Sequence, residues 1–332
     1  MKKLFMMLIF LLLLTSCSKN SEEKLVKKFQ NDINSSKSYV LKGSLEIIND
    51  EDSFNYAVEV GYKKKDMYKV KLNNTITNHE QVILKNKDGV YVITPSLNKS
   101  FKFQSEWPNN SSQAYILSSL LSDLEKTENK NYSEDKDYYI LTTDVNYPNN
   151  SDLLYQKLYF DKSYNLIRSE VYNSDNKLRI KFVVSTIDLK ANLDDNYFNV
   201  ENNVDSNLST DNQVINPLNE IIYPLYIPSD TYLSSKETIS TDNGNRAILT
   251  FSGKKEFVLI EEPTVMRSEF ETIPVYGEPI MMNGNVGALS GNSIFFTLDN
   301  IDYYIAGNDL TSSELLSVAS SLSNTLITIA GK

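Results

Sequence analysis

Alternation of apolar and polar residues with a period of two dominates the first two thirds of the chain. Tyr39, Leu41, Gly43, Leu45 and Ile47 share one side of an extended segment. Phe54, Tyr56, Val58, Val60 and Tyr62 share one side of the next, with the polar NDED at 49–52 as the turn. The pattern predicts a long antiparallel hairpin. It continues through 67–72, 80–85, 89–94 and 99–104, with KNKDG at 85–89 supplying turn residues. Further strands are predicted at 138–145, 154–160, 166–172 and 178–187, separated by polar stretches such as EKTENKNYSEDKD and NYPNNSD.

Two stretches switch to helical spacing. In SKNSEEKLVKKFQNDI, Leu25, Val26, Phe29 and Ile33 fall on one face, and Asn20 with Glu23 can close the first turn. In SSQAYILSSLLSDL, Leu117, Leu120, Leu121 and Leu124 form the stripe behind a serine N-cap. The predicted first domain is therefore a large antiparallel sheet with about two helices on one face. Residues 201–216 are polar and aperiodic, the composition of a linker. A second domain is expected from Pro217, with extended segments punctuated by Pro224, Pro228, Pro263, Pro274 and Pro279. Its strands are predicted near 246–251, 256–261 and 293–305. A closing helix begins at a capping box, Thr311 to Glu314, with Leu315, Leu316, Val318, Ala319 and Leu322 behind it.

The N-terminus has a different character. Lys2 and Lys3 precede an uncharged apolar run, Leu4 to Leu14, then the small residues Thr15 and Ser16, then Cys17. That order is a secretory signal, and the run falls short of the roughly 20 residues a spanning helix needs. Leu14-Thr15-Ser16-Cys17 resembles the bacterial lipobox, in which the cysteine is diacylated and becomes the first mature residue. The expected segments are thus a lipoprotein signal peptide at 1–16, a first domain at 17–200, a linker at 201–216 and a second domain at 217–332. Two fixed acyl chains give durable membrane attachment, at about 0.8 kcal/mol per buried CH₂. Loss of Lys2 and Lys3 takes the net charge from −10 to about −12, which disfavours nucleic acid and anionic headgroups as partners.

One cysteine and one histidine, His79, exclude an internal disulfide, a multi-cysteine metal site and a paired-histidine zinc site. No cofactor or metal is expected. Ser96-Leu97-Asn98-Lys99 and Ser174-Asp175-Asn176 match two motifs of penicillin-binding proteins, but the third, Lys-Thr-Gly, is missing. Ser96 also falls in a hairpin bend, where it has no reason to meet Lys99. The acidic pairs Asp194-Asp195 and Glu261-Glu262 sit in polar surroundings, and strand neighbours point to opposite faces. No catalytic residue is assigned.

The stretch QVILKNKDGVYVITPSLNKSFKFQSEWPNNSSQAYILSSLLSDL, residues 81–124, resembles the LolA/LolB/LppX-like lipoprotein superfamily. Within it, the chain is similar to the sporulation and germination lipoproteins of spore-forming Firmicutes, the YdcC type and the related germination type GerS. The carriers are Gly89, Tyr91, Pro95, Lys99, Phe101, Phe103, Trp107 and Pro108, then Tyr159-Phe160-Asp161 and Phe182, and the likeness covers about 22–200. Residues 221–322 resemble a small domain of unknown role appended to many such lipoproteins, which the shorter germination type lacks.

The resemblance implies an α+β protein: an incomplete antiparallel β-barrel with helices packed on its concave face, plus a second small α+β domain. It also implies a non-catalytic accessory module, tethered on the outer leaflet of the cell membrane or in the forespore envelope through a diacylglyceryl-cysteine at Cys17. Such a module would act in sporulation or germination with a cell-wall hydrolase or amidase as partner. The alternative is a carrier or acceptor holding acyl chains in the half-barrel. Tyr56, Val58, Val60, Tyr62, Tyr91, Phe101, Phe103 and Trp107 are the candidate surface or cavity for either role. The same residues equally meet the helices as ordinary core.

Overall fold

The structure, a computed structural model, describes residues 21–49, 53–128, 130–204, 213–214, 217–266, 269–282 and 284–322. The signal segment, Cys17, the expected cap at Asn20, turn residues 50–52 and positions 205–212, 215 and 216 of the expected linker lie outside them. In chain order come helix α1 (21–35), β1 (Ser38–Ile48), β2 (Ser53–Lys63), β3 (Met67–Asn74), β4 (Glu80–Asn86), β5 (Gly89–Thr94) and β6 (Lys99–Phe103). Next are α2 (Leu117–Lys126), β7 (Asn131–Glu134), β8 (Tyr139–Asp144), β9 (Leu153–Phe160), β10 (Leu166–Asn173) and β11 (Leu178–Asp188). The C-terminal part holds β12 (Gln213–Val214), β13 (Thr231–Thr241), β14 (Gly244–Gly253), β15 (Phe257–Pro263), β16 (Val265–Met266) and β17 (Glu271–Val275). It closes with β18 (Glu278–Met282), β19 (Asn285–Leu289), β20 (Ser293–Leu298), β21 (Ile301–Ala306) and α3 (Ser312–Ser320). The chain is a sheet-rich α+β protein.

The elements gather into two compact units. The first carries α1, β1, most of β2, α2 and β7 to β11, and the second carries β3 to β6 with everything from residue 194 onward. Sequence order alone would not group residues 66–107 with the C-terminal third.

In the first unit the strand order is β2-β1-β11-β10-β9-β8-β7. Antiparallel register aligns Leu45, Phe182, Ser169, Leu158 and Leu141 in one row across five strands. All five are buried, because this is the face that the helices cover. Leu25, Phe29 and Ile33 of α1 are buried at the expected spacing, and the Phe29 ring meets Phe160 edge-on at 5.3 Å. The Phe182 ring lies over Gly43, where a Cβ would stand 2.6 Å from it and 2.3 Å from the Val183 carbonyl oxygen. A glycine is required there by close approach, beside a register shift at Lys42/Gly43.

In the second unit β6-β5-β4-β3 form an antiparallel meander, and β17 joins the free side of β6 in parallel. A second sheet runs β13-β14-β15-β21-β20-β19-β18, with β12 and β16 pairing separately. Alternate residues of this sheet, Ala247, Leu249, Phe251, Leu259, Phe296, Tyr303 and Ile305, form a core with Leu315, Val318 and Leu322 at α3. The capping box of α3 is present as predicted: the Thr311 hydroxyl accepts from the Glu314 N–H, and Glu314 accepts from the Thr311 N–H.

Three differences from the sequence pattern have physical causes. The expected serine cap of α2 is absent: Ile116 is the N-cap residue, and the Ser112 hydroxyl instead donates to the Asp123 carboxylate. β7 lies inside a polar stretch without alternation, held by pairing with β8 rather than by burial. β13 is exposed along nearly its whole length, so no apolar period marks it.

Candidate functional site

Tyr56, Val58, Val60, Tyr91, Phe103 and Trp107 are buried, and Tyr62 and Phe101 are half-buried. Tyr62 stacks on Tyr39 at 5.0 Å within the first unit. In the second unit the Trp107 indole packs edge-on against Tyr68 at 6.2 Å, and Lys102 sits 5.5 Å over the Tyr91 ring. The structure thus distributes the eight candidates between two units and engages these side chains in packing.

The sequence motif Ser96 to Lys99 separates for a clear reason. Ser96 is exposed on a 3₁₀ turn at Pro95–Leu97, closed by Asn98 in the left-handed region, while Lys99 points inward from β6. Its ammonium donates to Asp302 Oδ2 at 2.9 Å, with both side chains more than nine-tenths buried. Asp302 Oδ1 accepts from Thr264 and Thr297 hydroxyls at 2.8 and 2.6 Å. The ammonium of Lys99 lies over Phe101 and Phe295, 5.1 and 5.3 Å from their ring centres. The partner of the Lys99 ammonium is thus Asp302 and not Ser96. The pair ties β6 to β21. The Gln81 amide adds a second tie by donating to the Val286 carbonyl and accepting from its N–H.

The first unit contains a polar pocket of about 80 Å³, lined by Ser111, Ser112, Ser118, Ser119, Ser122 and Asp123 together with Asn109, Lys126 and Asn146. Asp123 is buried among them, its oxygens accepting from Ser112 Oγ and Gln156 Nε2, each at 2.9 Å. Burial pushes its carboxyl up to about 6, opposed by those two hydrogen bonds and by the charge of Lys126. Chemically, the pocket offers hydroxyl and amide groups around a carboxyl that changes charge just below neutrality. The signal for Asp123 was present in the sequence as one acid on the leucine-bearing side of α2; nothing in the sequence pointed to Ser112 or Gln156.

A second buried acid corrects an expectation. The sequence places Glu261 and Glu262 in polar surroundings, but β15 alternation sends Glu261 into the apolar core at 0% exposure, while Glu262 pairs outside with Arg246. Asp194 has a local role, accepting from the Tyr197 N–H to cap a 3₁₀ turn. His79 is half-buried, and burial pushes its imidazole down. Among the described residues no three His, Cys, Asp or Glu side chains converge as a metal site, and no helix is long and apolar enough to cross a membrane.

The family model for sporulation protein YdcC-like proteins matches residues 1–198. The sporulation protein YdcC of Bacillus subtilis (strain 168) is 32% identical over 318 residues, covering 95% of this chain and 94% of that protein. The chain belongs to the YdcC-like sporulation protein family. Membership associates it with sporulation and spans both compact units. Among solved structures, the chain is similar to one of the CwlD amidase from Clostridioides difficile in complex with the GerS lipoprotein. There the identity is 22%, the coverage 48% of this chain and 91% of that one, and the TM-score 0.29. A LolA superfamily protein from Nitrosomonas europaea matches at 13% identity and TM-score 0.31, covering 54% of this chain and 98% of that one. Likenesses at these scores carry no functional weight.

Proposed function

We propose that this YdcC-like protein is an extracytoplasmic lipoprotein that works as a non-catalytic binding module during sporulation, anchored through Cys17 and docking a cell-wall hydrolase. The observation that carries the reading is the relation to a sporulation protein along 95% of the chain. Two further observations support a module over an enzyme. Lys99, which closes the Ser96-Leu97-Asn98-Lys99 motif, is committed to Asp302, and Asp123 is held by Ser112 and Gln156 in bonds that fix α2 to β9. The Lys-Lys start, apolar run and Thr-Ser-Cys at 15–17 support the anchor.

The fold reading that accompanies it is an incomplete barrel over 17–200, its concave face holding α1 and α2, followed by the 201–216 linker and a small domain at 217–332. Cleavage in 201–216 should leave the fragments associated, because β17, Asp302 and Val286 grip β6 and β4 from beyond the cut. Fragments that separate on a sizing column after such cleavage would refute these ties as the hold between the two parts of the chain.

The function is tested by isolating the tagged protein from sporulating cells in mild detergent and splitting the eluate for protein and lipid mass spectrometry. A stoichiometric cell-wall hydrolase supports the module. Lipid in excess of the anchor, without a protein partner, replaces it with the acyl-chain carrier. Cys17→Ala should release the protein from the membrane fraction; unchanged fractionation refutes the anchor.

A further inference from the structure

Residues 217–228, PLNEIIYPLYIP, cross the second unit's core without regular structure. Leu218, Pro224 and Pro228 are buried beneath them and Ile221 and Ile222 pack on the core, while Tyr223, Leu225, Tyr226 and Ile227 face outward. This strap is held to the unit by the Ile222 N–H, which donates to Glu261 Oε2 at 3.0 Å, and by the Leu225 N–H, which donates to the Ser321 carbonyl at 3.4 Å. The other carboxyl oxygen of Glu261, Oε1, is buried with no hydrogen-bond partner. A charged carboxylate is poorly served there: one oxygen has a single donor and the other none, in a core of aromatic and aliphatic side chains.

The groups around Glu261 do not relieve this. Opposite it on β21 is Tyr303, whose phenol is pushed up by its own burial and by the charges of Glu261 and of Asp299 in the preceding turn. Opposite it on β14 is Ala247. Arg246 and Glu262 belong to the other face and pair with each other, Glu220 of the strap is exposed, and Glu314 of α3 is occupied by Thr311 and Lys255. No cation approaches the carboxyl among these neighbours.

We propose that Glu261 is a proton-operated latch for the strap: the neutral acid keeps residues 217–228 closed on the core, and ionisation drives them open so that water reaches Oε1. Burial pushes the Glu261 carboxyl up to about 7, with the Ile222 hydrogen bond acting in the opposite direction. Opening restores an ordinary hydrated carboxylate. The open fraction therefore grows as pH rises from the open-state value toward the closed-state value, by up to about tenfold per pH unit, and levels off above about 7. Because opening moves the four outward apolar residues, the latch sets how the strap's exposed face is presented.

The test is backbone hydrogen–deuterium exchange of the full chain, read at the amides of 218–223 and 225–227 and divided by intrinsic rates. Between about pH 5.5 and about pH 8 the strap should lose about thirtyfold in protection, while β20 and β21 keep theirs. Glu261→Gln, which keeps the acceptor for Ile222 without a charge, should hold the strap protected at both values. A pH-independent wild-type strap overturns the proposal, as does an equal loss across β20 and β21, which would be unfolding of the unit. A slope retained in E261Q also overturns it. Should E261Q unprotect β20 and β21 at every pH, the wild-type comparison of strap with strands alone decides.

Discussion

Deleting the ammonium of Lys99 probes the tie between β6 and β21 at its most costly point. Lys99→Met keeps an unbranched stem between Phe101 and Phe295, so little packing is lost. What changes is Asp302, left buried with two threonine hydroxyls as donors and no counter-charge. Removing one member of a buried pair costs about 3–5 kcal/mol, a large part of the roughly 5–15 kcal/mol that holds a domain together. Asp302→Asn should cost a similar amount by stranding the ammonium. The double variant K99M/D302N buries no unpaired charge, so its cost should fall short of the summed singles by about 2–3 kcal/mol. Urea unfolding followed by tryptophan fluorescence reads this directly, because Trp107 is the sole tryptophan and is buried in the same unit. Lys102→Met is the control: half-buried on the same strand and set over a tyrosine ring, it should cost under about 1 kcal/mol. A K99M cost no larger than that of K102M, or additive single variants, would refute the reasoning.

Three further outcomes follow from the geometry. Asp123, pushed up to about 6 by burial, opposes folding once ionised, so its own contribution to the first unit's stability is greatest below about pH 4 and falls by about 3 kcal/mol as pH rises through 6, whereas Asp135, Asp152 and Asp161, held below the usual carboxylate range, contribute in the opposite sense as pH falls. The stability of Asp123→Asn relative to wild type should therefore rise as pH goes from about 4 to about 6, read from melting temperatures of the two proteins side by side. Gly43→Ala drives a methyl into the Val183 carbonyl and the Phe182 ring and should cost about 1–3 kcal/mol by denaturant titration. Thr311→Ala removes half of the α3 capping box and should cost about 1 kcal/mol, read as earlier thermal loss of helical circular dichroism.

Strands whose faces are unequally buried were legible in the sequence, because burial on one side imposes a period of two: β1 to β6, β8 to β11, β14, β15, β20 and β21 fall where alternation put them. α1, α2 and α3 were legible from one apolar stripe each, and α3 also from its cap. β7, β13 and β17 were not, since an edge strand is held by backbone hydrogen bonds that any side chain permits; β17 even contains Pro274, which supplies no donor. The acids divide the same way. Sequence flagged Glu261 and Glu262 as neighbours on opposite faces, yet which of them met water depended on which face of β15 the second unit buried.

Sequence by itself determined the sheet-rich α+β class, the capping box of α3, and the family relation. These are local properties or properties of residue order. Tertiary structure alone decided that residues 66–107 pack with the C-terminal third, that Lys99 answers Asp302 across more than two hundred positions, and that Asp123 and Glu261 are buried acids. Burial and pairing between distant segments are set by which surfaces the folded chain brings together, and a one-dimensional pattern carries the faces of each element but not the identity of what each face meets.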